Sequence, residues 1–361
     1  MACLLFVIDH NWDASIEAFA RLDRQLAGSL EAVQGGSPER RVAYFLFALL
    51  GVGLALGRGA RPLRVHGAAA YAMLAFLGWA FLSLLWSLSP QLTVRRGGVV
   101  VMLSVGIAGL LRRFSLREIL GLLLFLSLAY LLVGVMAELS LGTFEPLGRH
   151  YRFAGTLHPN IQGVNCALAF LAGLWLATAP EEPWNRRWIG VLAVAVAGLF
   201  LLLTRSRGAV GSALAAAGVL GLLRLRRRHA ALAVAAGIGL AGVAGFLLAA
   251  ELAEEPWGLI LLGRDPTKAG TLTGRIPLWD SLLRYAGEHP VLGYGYGAFI
   301  DPERGSAVAT EVGAFVLGGP HSAYISVLGD LGAIGLLLFV AALVFSLVRA
   351  LRHHSSGEWN P

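Results

Sequence analysis

The sequence predicts an all-α, polytopic integral membrane protein, and three observations carry that prediction. Hydrophobic residues make up 57% of the 361 residues and charged residues 14%, against roughly 25% charged in a soluble domain. The mean hydropathy is +0.68. Apolar runs of helical length follow one another with short connections, broken by a single long polar stretch at residues 251–320. The net charge of +7 reads as positive-inside topology, so the lipid bilayer is the expected environment and no nucleic-acid partner is expected.

Residues 1–41 form an amphipathic N-terminal segment. Ile16, Phe19, Leu22, Leu26, Leu30 and Val33 share one face of a helix over 14–33, with Glu17, Arg21 and Asp23 mostly off that stripe, the pattern of a helix lying on a membrane surface. Met1–Ile8 has no basic lead and meets Asp9 quickly, which suits neither a signal peptide nor a full span. Apolar spans are expected at 42–57, 65–88, 97–111, 119–141, 160–179, 188–204, 208–223, 230–250 and 321–348. That is about nine, eight within 42–250 and one after the loop, several shorter than the usual ~20 residues. Within the loop, Pro277, Trp279, Leu282, Leu283 and Ala286 have helical spacing, so a short helix follows Thr273-Gly274-Arg275 and ends before His289-Pro290.

Arginine placement sets the orientation. With the N-terminus outside, the inner segments 58–64, 112–118, 180–187, 224–229 and 349–361 hold 14 basic residues in 41, and the outer segments hold 15 in 140. The density differs about threefold in the expected sense. The loop 251–320 is therefore expected to be extracytoplasmic and the tail 349–361 cytoplasmic.

The outer arginines need another explanation. Arg95-Arg96, Arg149, Arg152, Arg205, Arg207 and Arg275 all fall at expected outer helix ends. Thr204-Arg205-Ser206-Arg207-Gly208 joins two helices with almost no loop. Guanidinium binds phosphate in a two-pronged fork, so Arg205, Arg207 and a helix N-terminus at Arg275 suit a pyrophosphate. Each could instead snorkel to lipid headgroups.

His321 follows Pro320 at the mouth of the last span and could act as a general base, or be an interfacial histidine with a satisfied hydrogen bond. Tyr324 lies one turn below it. Asp330 is read as helping helices pair, because Gly329 and Gly332 lie close by. Tyr294 and Tyr296, in Gly293-Tyr294-Gly295-Tyr296-Gly297, could stack on sugars or pack the loop. No cluster of carboxylates, histidines or cysteines suggests a metal, so phosphate chemistry here would rest on arginine. Cys3 and Cys166 give no CxxC pattern and no disulfide framework.

Five motifs in order add a more specific reading. They are Phe153-Ala154-Gly155-Thr156-Leu157-His158-Pro159-Asn160, Leu203-Thr204-Arg205-Ser206-Arg207-Gly208, Leu272-Thr273-Gly274-Arg275 with Trp279, His289-Pro290-Val291-Leu292-Gly293-Tyr294-Gly295, and His321-Ser322-Ala323-Tyr324. With Trp86-Ser87-Leu88-Ser89-Pro90, Thr93 and Arg95, they resemble the bacterial O-antigen ligase/polymerase family, from about residue 80 onward. The resemblance implies a GT-C-like helical fold and no cofactor. It implies a donor glycan on undecaprenyl pyrophosphate, transferred en bloc to an acceptor glycan or lipid at the outer face of the bacterial inner membrane. It maps pyrophosphate binding onto Arg205 or Arg207 and Arg275, and the catalytic base onto His321. Arg95, Arg152, His158, Asn160, Tyr294, Tyr296 and Tyr324 are further candidate contacts. Relatives have more spans, around twelve, so the N-terminal region here is short. Ligase and polymerase readings share these residues, and a lipid-linked glycan transporter is the alternative from another class.

Overall fold

The structure is a computed structural model that describes residues 38–62, 65–148, 151–224, 275–312 and 322–356. The expected surface helix at 14–33, the span at 230–250, most of the loop at 251–274, Arg149 and His321 lie outside the described residues.

Every regular element among the described residues is helical: α1 (Pro38–Leu56), α2 (Ala68–Leu82) with a 3-10 turn at Ser83–Leu85, α3 (Pro90–Arg113), α4 (Leu116–Ser140), α5 (Pro159–Thr178), α6 (Trp184–Leu203), α7 (Arg207–Arg224), α8 (Arg275–Ala286), α9 (Pro302–Glu311) and α10 (Ala323–Ser356). Among the described residues six apolar segments, Ala68–Leu85, α3, α4, α5, α6 and Ala323–Ala350, are long enough to cross a membrane. Large apolar side chains such as Phe125, Leu132, Leu192, Leu199, Leu337 and Leu347 are exposed on them, as lipid-facing surface requires. The protein is thus a multi-pass, all-helical membrane protein.

The chain divides into two units, each described by itself: residues 38–115 with 275–356, and residues 116–224. In the first, α1 packs on α3 at glycines. A Cβ on Gly51 would lie 2.5 Å from Val105 O, and one on Gly109 would lie 2.5 Å from Gly51 Cα. Without a hydrophobic drive inside lipid, such close backbone approach is what holds helices together. In the second, the interior is mostly alanine, including Ala169, Ala172, Ala193, Ala197 and Ala213. A Cβ on Gly190 would come 2.8 Å from Ala177 Cα on α5.

Helix starts follow local chemistry. Pro occupies the first turn of α3, α5 and α9, where its missing N–H costs nothing. Asp301 caps α9 by accepting from Arg304 N at 2.8 Å. Arg112 and Arg113 close α3 and complement its dipole.

Three expectations need correction. α3 begins at Pro90, so Arg95 and Arg96 lie inside a helix and not in a loop ahead of it; Pro90 starts the helix early and long arginine stems suit its membrane end. The last span is not one continuous helix, because Gly332 adopts φ +65° inside α10. Asp330 does not pair helices: its carboxylate accepts from Phe299 N at 3.0 Å, because the break at Gly332 brings a loop against it.

Candidate functional site

In the second unit, polar and charged side chains gather where α4 ends, α5 begins and α6 turns into α7. Glu138 in the last turn of α4 is 2% exposed. Its Oε1 accepts from Ala154 N (3.0 Å) and Gly155 N (2.7 Å), and its other oxygen accepts from the Tyr151 hydroxyl. Burial, with Glu138 adjacent, pushes the Tyr151 pKa far up, so it stays a donor. Gly155 has φ +58°, and a Cβ there would lie 2.6 Å from Gly134 Cα. The motif at 153–160 is therefore pinned by a buried carboxylate, while Phe153 N donates to Leu203 O at 2.9 Å.

That scaffold holds arginines. Arg152 donates from Nε to Thr204 O (3.1 Å) and from a terminal nitrogen to Asn160 Oδ1 (2.9 Å). Arg205 donates to Gly148 O at 3.1 Å, and burial lowers its pKa without removing the charge. Among the described residues Arg205 is the non-glycine residue at positive φ, +48°, a conformation that persists only when surroundings enforce it. The buried turn does so: Thr204 and Ser206 are 0% and 5% exposed, and Ser206 N donates to Thr204 Oγ1 at 3.2 Å. Arg207 opens α7. Exposed His158 caps α5, its Nδ1 accepting from Asn160 N at 3.2 Å. Arg152, His158, Asn160 and Arg205 are thus brought onto one small framework that carries two guanidinium groups.

In the first unit, the loop 289–299 is clamped into the break of α10. Tyr294 N donates to Gly329 O (2.9 Å), Gly295 N to Asp330 O (2.8 Å) and Ala333 N to Pro290 O (2.8 Å). Trp79 Nε1 donates to Leu331 O (3.2 Å) and Trp86 Nε1 to Leu292 O (3.0 Å). Tyr296 N donates to Ser83 Oγ at 2.9 Å, and Arg96 donates to Gly297 O. The break frees carbonyls and the loop satisfies them, as backbone at membrane depth demands.

The two loop tyrosines differ. Tyr294 is 1% exposed; its hydroxyl donates to Glu288 at 2.7 Å, Arg304 stacks 3.9 Å from its ring, and burial pushes its pKa up to about 12. It packs the loop and has no face for a sugar. Tyr296 lines a cavity of about 210 Å³ with Phe76, Phe81, Leu84, Thr93 and Val94. Arg95 shares its surroundings with Arg41 and Arg96. Tyr324 is exposed and meets Phe339 edge-on at 5.9 Å. Arg275 starts α8. Among the described residues no group of three potential metal-binding side chains occurs.

Glu138, Trp79 and Ser83 are supports that the motifs do not mark, and Arg96 enters the sequence reading only as one of the outer arginines. Glu138 does carry a local signal, as an acid inside an apolar run, a setting in which such groups are functional candidates. The clamp of Trp79, Ser83 and Arg96 spans more than 200 residues of chain and leaves no local trace.

Fold and framework define a class, the multi-pass membrane proteins that hold fixed arginines at helix ends. Residues 192–340, from within α6 into α10, match the family model described as O-antigen ligase. The chain is also 28% identical over 305 residues to the exopolysaccharide production protein ExoQ of Rhizobium meliloti (strain 1021), a match covering 80% of this chain and 66% of that relative. The chain therefore spans just under two thirds of the length of that curated relative. No solved structure matches the chain. The similarity to the O-antigen ligase family thus rests on residues 192–340 and on that curated relative.

Proposed function

We propose that the protein is a membrane glycosyltransferase that moves a glycan en bloc from undecaprenyl pyrophosphate to an acceptor hydroxyl, without a metal, on the outer face of the inner membrane. The observation that carries this is the strained turn at Arg205. An uncommon backbone conformation keeps a guanidinium on a buried framework beside Arg152 and Asn160, and strain of this kind clusters at functional sites. The similarity to the O-antigen ligase family supports the class of reaction.

In this reading the acceptor oxygen attacks the anomeric carbon as the carbon–oxygen bond to the pyrophosphate breaks. The acceptor's proton passes to His321, and the electron pair leaves with the lipid pyrophosphate. Arg205 and Arg207 stabilise the growing negative charge more in the transition state than in the ground state. Arg275 is assigned the same kind of contact, from its place at the head of α8. Polymerisation of repeat units is preferred to ligation because the matched relative is named for exopolysaccharide production. A transporter is disfavoured: the break at Gly332 has its carbonyls bonded by loop 290–295 and leaves no open half-helix end to line a path.

Incubating purified protein with lipid-linked repeat units alone tests the proposal. Longer lipid-linked chains are expected. Reaction only after a different acceptor is added would reassign it as a ligase, and translocation without covalent transfer would overturn the enzyme reading.

A further inference from the structure

The second unit carries another polar cluster, at the helix ends remote from the Glu138 loop: the start of α4, the end of α5 and the start of α6. Glu182 lies in the α5–α6 connection with its side chain 2% exposed. Arg117 forks onto it, Nε to Oε1 at 2.5 Å and a terminal nitrogen to Oε2 at 2.7 Å. A second guanidinium, Arg186, stands 3.6 Å from the same carboxylate and remains 55% exposed. One buried acid thus faces two cations, so Arg117, Glu182 and Arg186 together carry one net positive charge, with Glu118 and Glu181 exposed on the same segments.

Against it lies a cavity of about 320 Å³ among α4, α5 and α6, walled by Leu120, Leu124, Phe125, Trp175, Leu176 and Ile189 and rimmed by Arg117, Glu182 and Arg186. Trp184 and Trp188 are exposed beside Arg186, their rings edge-to-face at 5.4 Å. Exposed tryptophans at a helix end mark the headgroup level of a bilayer, so the arginines stand at phosphate depth and the apolar walls at acyl-chain depth.

We propose that this groove is a binding site for an anionic phospholipid, its phosphodiester on Arg186 and the outer edge of Arg117, and one acyl chain against Leu120, Leu124, Phe125 and Ile189. Glu182 fixes Arg117 in place, while the looser Arg186 is able to turn to the phosphate. A zwitterionic lipid offers the same chain, but its own cation cancels the charge match.

The test uses the full-length protein, delipidated in detergent and given phosphatidylglycerol or phosphatidylcholine, with bound lipid counted by native mass spectrometry. Phosphatidylglycerol is expected to be retained about fivefold more. Arg186→Gln, at a mostly exposed position, should bring the two lipids level. Gly121→Leu fills the groove from a position where a Cβ meets nothing within 4 Å, and should reduce retention of both. Arg117 is left intact because its loss strands a buried carboxylate. Equal retention by the unaltered protein, an unchanged preference in Arg186→Gln, or equal stabilisation by soluble glycerol phosphate would overturn the assignment.

Discussion

Arg205 offers the most discriminating experiment, because its backbone and its charge can be separated. A non-glycine residue at φ +48° carries about 1–2 kcal/mol of conformational cost. Arg205→Ala keeps that cost and loses the hydrogen bond to Gly148 O. Arg205→Gly loses the same bond, relieves the cost, and gives back about 0.5–1 kcal/mol through its freer unfolded chain. The glycine variant should therefore be more stable than the alanine variant by roughly 0.5–1 kcal/mol, a rise in melting temperature of about 1–2 °C for a chain of this size. If the guanidinium binds pyrophosphate, both variants lose a charge-assisted contact of about 1.5–3 kcal/mol, equivalent to a rate loss of about ten- to a hundredfold. Lysine should rescue poorly, since it lacks the fork. The assays are thermal unfolding in detergent and transfer from a lipid-linked donor. Transfer that recovers in the glycine variant while the alanine variant is dead would show that Arg205 matters only as backbone, and would refute the phosphate reading.

Other outcomes follow from the same reasoning. His321→Ala and His321→Gln should both bind donor normally but transfer at least about a hundredfold more slowly, within the range for a lost general base; near-normal single turnover in the glutamine variant would move the base elsewhere. Activity should survive EDTA, and a complete loss restored by magnesium would reveal a cation site. In a background lacking native cysteines, Ser306→Cys should react with an impermeant reagent on intact cells and Glu181→Cys only after the membrane is opened; the reverse pattern would invert the topology. The Glu311 carboxyl is held below its usual range by the Ser281 hydroxyl and by Arg284, 2.9 Å away. A depressed acid stabilises above its unfolded value, near 4.5, and loses that contribution as pH falls through the folded value. Protease resistance of the α8–α9 region should accordingly decline below about pH 4.5, and Glu311→Gln should flatten that decline; an unchanged profile in the variant would put the acid sensitivity elsewhere.

The sequence by itself determined the helical membrane class, because a chain this apolar must satisfy its backbone inside its own helices. It also placed a span at 160–179 close to α5 (Pro159–Thr178), a short helix after Thr273-Gly274-Arg275 where α8 begins, and the tight turn Thr204-Arg205-Ser206 between α6 and α7. Motif order carried the resemblance to the O-antigen ligase/polymerase family, since those residues are read in line. What only the tertiary structure decided is everything that depends on distant partners. Gly332 reads as one more small residue in an apolar run until Pro290, Val291 and Tyr294 are seen filling the break it makes. Asp330 looks like a helix-pairing acid until Phe299 N is found on it, and Tyr294 looks like a sugar platform until Glu288 and Arg304 enclose it. Glu138 lies among apolar neighbours in sequence and becomes the anchor of the 153–160 loop only once α4 ends against it. Propensity and periodicity act over a few residues, whereas a buried carboxylate or a broken helix is stabilised by whichever donors the fold brings to it, and those lie far along the chain.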